Sequence, residues 1–272
     1  MTIEMNAVEC SQEVKQMARD KSFTSTKTLA IVTVGEDDAS KVYVNNKKRE
    51  LEKYGFNYQH IQISRCISFE SFCRTIESLN NDPHINGIII QQPIHADLFN
   101  EEQKKTINRL VAPSKDVDGL HPNSDFIPCT PLGIIYLLNY FSVPLATKNV
   151  VIAGRSELVG KPLAKLLMEG YNCTVTIIHS HTAKDTIKSL LNNCDIFVSA
   201  IGKPKYWTNE YFNENSKKLA LVDVGINRDE NGKLCGDVSP EVYKNFDYYT
   251  PVPKGVGLMT VASLIDNLAD TE

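Results

Sequence analysis

The sequence predicts an α/β protein of two α/β domains, the second a Rossmann-type doubly wound, mostly parallel sheet, with a cleft between the two. Three observations carry this. Short apolar runs at 29–34, 58–63, 87–91, 149–153, 174–178, 195–199 and 219–224 have the length of strands. They are rich in Ile, Val and Leu, as strands buried on both faces are. Helix-sized segments separate most of them, at 40–54, 69–80, 101–109, 131–140, 159–168 and 182–192. The alternation breaks at 111–130, which holds Pro113, Pro122 and Pro128 and little periodicity. An irregular stretch of that length signals function or a domain junction. The boundary is therefore placed there, giving a first domain over 1–125 and a nucleotide-binding domain over 126–256. The apolar run 257–268 follows Thr250-Pro-Val-Pro253 and reads as a helix, so the segment 257–272 is expected to pack back on the first domain.

Composition narrows the function. With 272 residues the chain is long enough for real cores, and a net charge of −4 gives no general attraction to nucleic acid or to an anionic membrane. No apolar run is long enough to span a bilayer. The first twenty residues carry acids and no apolar core, unlike a secretory signal or an Arg-rich transit peptide. Seven cysteines stand apart with no CxxC pair, which argues against a disulfide framework or a zinc site and fits a reducing compartment. A cytoplasmic protein is expected.

Ser40-Lys-Val-Tyr43-Val-Asn-Asn-Lys47 places a hydroxyl, a phenol and an ammonium about a turn apart along one helical face. Such a row can position a polar substrate and move a proton. Since Lys48, Arg49 and Glu50 follow, a solvated charged face is the competing reading. The strand 87–91 ends in Gln91 and Gln92, where a parallel sheet presents side chains to a ligand. A loop-facing polar residue would look the same. Lys115-Asp116-Val-Asp118-Gly119-Leu-His121 offers two carboxylates and an imidazole. One short cluster without further ligands speaks against a metal, and none is expected. A carboxylate there could instead accept hydrogen bonds from the amino and ring N–H groups of a heterocycle. Pro253-Lys-Gly255-Val256-Gly257 is a glycine-punctuated turn feeding a helix. It suits a flat ligand, or a plain linker.

In the second half, strand 149–153 runs into Gly154-Arg155-Ser156-Glu-Leu-Val-Gly160, a variant of the dinucleotide fingerprint. The next strand ends in His179-Ser180-His181-Thr182 rather than in the acid that usually grips an NAD ribose. Arg155 and Ser180 could bind a 2′-phosphate, so NADP is favoured over NAD; the alternative is that His179 and His181 are ordinary strand-end residues and Arg155 a surface charge.

Taken in order, these pieces resemble the bifunctional methylenetetrahydrofolate dehydrogenase/methenyltetrahydrofolate cyclohydrolase family. The matching blocks are Ser40…Tyr43…Lys47, Gly87-Ile-Ile-Ile-Gln91, Lys115-Asp-Val-Asp118-Gly119, Pro128-Cys-Thr-Pro131, Gly154-Arg-Ser156…Gly160-Lys-Pro162, Val222-Asp-Val-Gly-Ile-Asn227 and Pro251-Val-Pro253…Met259-Thr260. The resemblance implies a folate on the first domain, NADP on the second, and a homodimer in one-carbon metabolism and purine biosynthesis. It implies that Lys47 is the cyclohydrolase lysine, that Tyr43 and Gln91 assist it, and that Asp118 holds the pterin. It assigns Pro253, Gly255, Val256 and Gly257 to the folate and Gly154, Arg155, Ser156, Ser180 and Ile226 to the cofactor. Lys254 and Leu258 replace the family's usual Gly and Pro, Gln92 a Leu, and His95 a Pro. A shikimate-type NADP dehydrogenase would carry an Asn-Val-Thr-x-Pro-x-Lys block, which this chain lacks. A non-catalytic folate- or nucleotide-binding relative would have no need of Tyr43, Lys47, Gln91 and Asp118.

Overall fold

The computed structural model describes residues 2–22, 26–35, 38–92, 94, 98–213 and 217–272, apart from the side chains of 38–40. Along the chain run β1 (Ile3–Glu4), α1 (Val8–Lys21), β2 (Thr28–Val34), α2 (Asp38–Lys53), β3 (Asn57–Ile63), α3 (Phe69–Asn81), β4 (Gly87–Ile90), α4 (Glu101–Thr106) and α5 (Cys129–Tyr140). Then come β5 (Asn149–Ala153), α6 (Gly160–Tyr171), β6 (Thr174–Ile178), α7 (Lys184–Asn193), β7 (Ile196–Ser199), β8 (Lys218–Asp223), β9 (Asn227–Arg228), β10 (Leu234–Cys235), β11 (Phe246–Tyr249) and α8 (Val256–Ala269). They form two compact units, Met1–Gln12 with Thr130–Thr260, and Glu13–Cys129 with Val261–Glu272.

The second of these is built on a three-stranded parallel sheet of order β3-β2-β4. Residues alternate across it with period two. Leu29, Ile31 and Ile89 face Val44 and Leu51 of α2 and Leu264, Ile265 and Leu268 of α8. Ala30, Val32, Ile88 and Ile90 face Phe72, Ile76 and Leu79 of α3. Ser68 starts α3 cleanly, its Oγ accepting the Ser71 N–H at 3.1 Å. Because α3 carries the chain to the far side of β2, the strand order reverses at β2. The stretch 111–130 is indeed irregular, with a single 3₁₀ turn at Pro113–Lys115 before α5 begins.

The other unit holds a six-stranded sheet, β1-β11-β8-β7-β5-β6, in which every pairing is parallel. From β5 onward this is a doubly wound order, reversing between β5 and β7. The four strands expected in this half are β5 to β8. The sequence reading missed β1, β11, α1 and the antiparallel β9–β10 pair. Three of these, β1, β9 and β10, are two-residue strands. The buried stripe of α1 is the modest Cys10, Val14 and Ala18, interrupted by the buried Ser11 and Lys15. The expected helix 101–109 is α4 followed by the 3₁₀ turn Ile107–Arg109. His95 lies outside the described residues.

Lys254 has φ +78, with its carbonyl accepting the Ala7 N–H at 2.8 Å. A side chain in the left-handed region costs about 1–2 kcal/mol, partly offset because glycine loses more backbone freedom on folding. Lys254→Gly is therefore expected to raise unfolding free energy by about 1 kcal/mol. Urea titration with an unchanged slope checks it, and a lowered midpoint would remove the strain argument.

Candidate functional site

In the three-stranded unit the strand order reverses at β2, and β4 delivers Gln91 to the carboxyl edge of the sheet, where this class of fold presents side chains to a ligand. The Gln91 N–H donates to the Val32 carbonyl at 2.8 Å, extending the ladder one residue beyond the strand. Its side-chain Nε2 donates to the Gln92 carbonyl at 2.7 Å. That bond turns the amide so that Oε1 accepts from Lys47 Nζ, also at 2.7 Å. Lys47 comes from α2, whose Val44 and Leu51 are anchored in the core on either side of it. Burial pulls the Lys47 ammonium below the usual lysine range, against the pull of the Asp118 carboxylate. The structure thus brings Lys47, Gln91 and Asp118 into one neighbourhood. Tyr43 stands one turn earlier on α2, exposed. Ser40 is helical, but its hydroxyl lies outside the described side chains.

Asp118 is held by its loop. Gly119 has φ +72, and a Cβ there would stand 2.5 Å from Pro128 N, so the turn after Asp118 requires glycine. Asn267, buried on α8, donates from Nδ2 to the Val117 carbonyl at 2.9 Å and to the Ile127 carbonyl at 3.0 Å. One amide thereby staples both ends of the segment carrying Asp118. Cys129 packs in the same place, its Sγ donating to Val117 O at 3.2 Å. Burial pushes its thiol well above the ordinary value, with the Asp118 charge adding to it, so this cysteine is an inert space-filler. Asp116, buried, accepts the His121 N–H at 2.6 Å. Burial pushes its carboxyl up to about 6 against that bond. Nothing in the sequence marked Asn267, which is far from the loop in the chain and fits the helix pattern as any polar residue would.

The six-stranded unit carries a cavity of about 390 Å³ where its own order reverses. Ala153, Gly154 and Arg155 after β5 and Ala200, Ile201 and Lys203 after β7 line one side. Ser180 lies at the end of β6, and Tyr206, Trp207 and Tyr211 form an aromatic wall. The lining joins a flat apolar surface to cations. Arg155 is exposed and has no hydrogen bond or ion pair among the described residues, leaving its guanidinium available to an anion. These features fit a nucleotide with phosphate. Ser156 also lines the cavity, but its Oγ accepts the Val159 N–H at 3.1 Å and so shapes the turn into α6. Lys203 and the aromatic wall were not singled out from sequence, because the stretch after β7 has no periodicity to orient it, and Lys184, at the start of α7, reads as an ordinary helix charge.

The remaining expected residues belong to this same unit. Pro253 is exposed, Gly255 and Val256 are buried, and Val256 begins α8. A Cβ on Gly257 would lie 3.1 Å from Ile226 Cδ1, so the turn into α8 and the loop after β8 are neighbours. Ile226 is exposed there.

A family model described as "Tetrahydrofolate dehydrogenase/cyclohydrolase, catalytic domain" matches residues 3–118, and one described as its "NAD(P)-binding domain" matches 128–272. The bifunctional protein FolD of Streptococcus thermophilus is 40% identical over 272 residues, covering 96% of this chain and 92% of its own length. The crystal structure of the bifunctional enzyme FolD, a methylenetetrahydrofolate dehydrogenase/cyclohydrolase from Campylobacter jejuni, matches with a TM-score of 0.91 at 32% identity, covering 100% of this chain and 98% of that one. The Trypanosoma brucei FolD complexed with NADP cofactor and inhibitor matches at 0.85 and 28%, over 98% and 95% of the two chains.

The buried Asp116 carboxyl, near 6 when folded and about 4 when unfolded, makes folding proton-linked. The folded state holds the proton more tightly, so stability is greatest below the unfolded value and is lost as pH rises through 6. Relative to Asp116→Asn, the wild type should lose about 3 kcal/mol of unfolding free energy over that window. Denaturant titrations of both proteins across the window test this, and a pH-independent difference would refute it.

Proposed function

The chain belongs to the tetrahydrofolate dehydrogenase/cyclohydrolase family, and on that premise we propose a division of labour in which Lys47 moves protons for hydrolysis while the six-stranded unit binds NADP⁺ for oxidation. The oxidation converts 5,10-methylenetetrahydrofolate to 5,10-methenyltetrahydrofolate. The hydrolysis opens that product to 10-formyltetrahydrofolate.

The observation that carries the assignment is the Lys47–Gln91 contact, with the lysine half-buried and its amine below its ordinary pKa. Hydrolysis adds water to a cationic carbon, and the attacking water must give up a proton. A neutral amine can accept it, and the cationic substrate disfavours the charged form further. Gln91 Oε1, fixed by the bond to Gln92 O, orients that amine. Asp118 is an acceptor suited to the amino and ring N–H groups of a pterin. Tyr43, on the same helical face as Lys47, offers a ring to stack and a hydroxyl to relay a hydrogen bond. Pro253, Gly255, Val256 and Gly257 are assigned to the folate by the family resemblance alone.

Oxidation needs a different contribution. Bound NADP⁺ supplies the hydride acceptor, and the substrate's own nitrogens stabilise the cation that forms, so the protein's task is orientation. Arg155 and Ser180 are assigned to the 2′-phosphate, Gly154 and Ser156 to the turn beneath the phosphates, and Ile226 to the nicotinamide side. The absence of an acid at the end of β6 favours NADP over NAD. The shikimate-type alternative is set aside, since both parts of the chain match one folate family.

The product is a formyl donor, and its use in one-carbon transfer, purine biosynthesis included, follows from that chemistry. Among the described residues no two cysteines are joined in a disulfide, which suits the cytoplasm. Among the described residues no helix is long and apolar enough to cross a membrane. A homodimer joined through the nucleotide-binding units is supported by β6, an edge strand, and by the exposed Leu158 and Met168 nearby in sequence.

Lys47→Met should abolish hydrolysis of the methenyl substrate, followed by decay of its chromophore, while leaving measurable oxidation at 340 nm. Equal loss of both would contradict the division of labour. Wild-type hydrolysis should rise with pH as Lys47 deprotonates. Arg155→Ala should raise KM for NADP⁺ about tenfold or more and that for NAD⁺ little, as expected on losing a charge-assisted bond. An unchanged preference would remove Arg155 from the 2′-phosphate.

A further inference from the structure

No motif marks Asp237, and it is not among the residues lining the nucleotide cavity. It is fully buried, just after the β9–β10 pair. Its carboxylate accepts five hydrogen bonds. Oδ2 takes Ser199 Oγ at 2.8 Å, Ile201 N at 2.8 Å and Gly202 N at 3.3 Å. Oδ1 takes Lys203 N at 2.9 Å and Asn227 Nδ2 at 2.9 Å. Three consecutive backbone amides converge on one anion, a nest made possible by Gly202 at φ +64. In this fold, amides after a strand's carboxyl end commonly face the ligand. Here the protein fills the nest with its own carboxylate.

The consequence falls on the nucleotide. Ala200, Ile201 and Lys203 line the cavity from the loop that Asp237 grips, and Trp207, in the aromatic wall, donates from Nε1 to Ser199 Oγ at 2.8 Å. Trp207 N also donates to the Asp237 carbonyl at 3.0 Å. We infer that Asp237 is a positioning residue for NADP⁺: by drawing the 201–203 amides inward it sets which groups of that loop meet the cofactor. All five partners of the two oxygens are donors. An asparagine amide, with a donor of its own, breaks the pattern while keeping the shape. The inference rests on the reading of the cavity as the NADP⁺ site.

The two activities separate this role from a merely structural one, because hydrolysis needs no nicotinamide. Asp237→Asn should raise KM for NADP⁺ about tenfold or more, from the loss of hydrogen bonds to a charged group. It should leave the folate KM and the hydrolysis rate within about twofold of wild type, a change worth under 0.5 kcal/mol. An unchanged KM for NADP⁺ overturns the proposal. Equal loss of both activities, with unfolding seen by circular dichroism, transfers the test to Asn227→Ala, which removes one donor and keeps the carboxylate. There a raised KM for NADP⁺ with intact hydrolysis supports the role, and no change refutes it. Wild-type protein that hydrolyses the methenyl substrate but binds no NADP⁺ would sink the reading of the cavity instead.

Discussion

Parallel strands point their carboxyl ends the same way, and a sheet whose order reverses must leave a gap above that edge. Both units of this protein are governed by that constraint. In one, β2 is central and its neighbours were laid down on opposite sides, so Gln91 and the α2 helix meet at the gap. In the other, the chain leaves β5 for β6 and comes back to β7, and the cavity opens between the loops that follow β5 and β7. The chemistry differs, but the backbone supplies the same kind of place for it. What distinguishes the two is which side chains the loops carry: an amine, an amide and a carboxylate in the first, cations and aromatic rings in the second.

At the first gap the electrostatics follow from packing. A lysine on a helix face that is otherwise rich in charge would stay protonated in water. Val44 and Leu51 are seated in the core, and their burial holds that stretch of α2 against the sheet. Lys47 is thereby partly withdrawn from solvent, which costs the charged form more than the neutral one. Asp118 works in the opposite direction, and Gln91 adds a dipole rather than a charge. The balance leaves an amine whose charged form is disfavoured by burial and partly restored by Asp118, which makes the lysine a readier proton acceptor than one in water.

Strands β2 to β8 and most helices were legible because strands buried on both faces leave continuous Ile, Val and Leu runs, which only a few lengths of segment can explain. Lys47 and Gln91 were legible as residue types in the right places, one on a helix and one at a strand end. Their contact was not, since it depends on how α2 lies over β2 and β4. Asn267 and Asp237 escaped notice for a related reason. Each acts on a loop remote in sequence, 150 residues from Val117 in one case and 38 from Ser199 in the other. A polar residue that binds backbone groups far away has no local pattern. The strands β1 and β11 were hidden differently: they add to the sheet's margin, where two or four residues suffice and burial is partial.

Buried carboxylates are the polar groups a core tolerates least, and this chain keeps several. Their partners explain why. Asp237 accepts from three successive amides, and Asp223, at the end of β8, accepts from Gly225 N, Asp237 N and Val238 N. Burial pushes the Asp223 carboxyl up to about 7, so it stands near the boundary between its two forms even with those donors. Asp116 does the same for the loop that carries Asp118. In every case the acceptor organises backbone that no strand or helix organises. Loops that must hold a ligand cannot use their own amides for a ladder, and a hydrophobic side chain cannot tell one amide direction from another. A carboxylate can, because it accepts only. The desolvation cost of these acids is therefore the counterpart of irregular loops held in one conformation beside the two gaps.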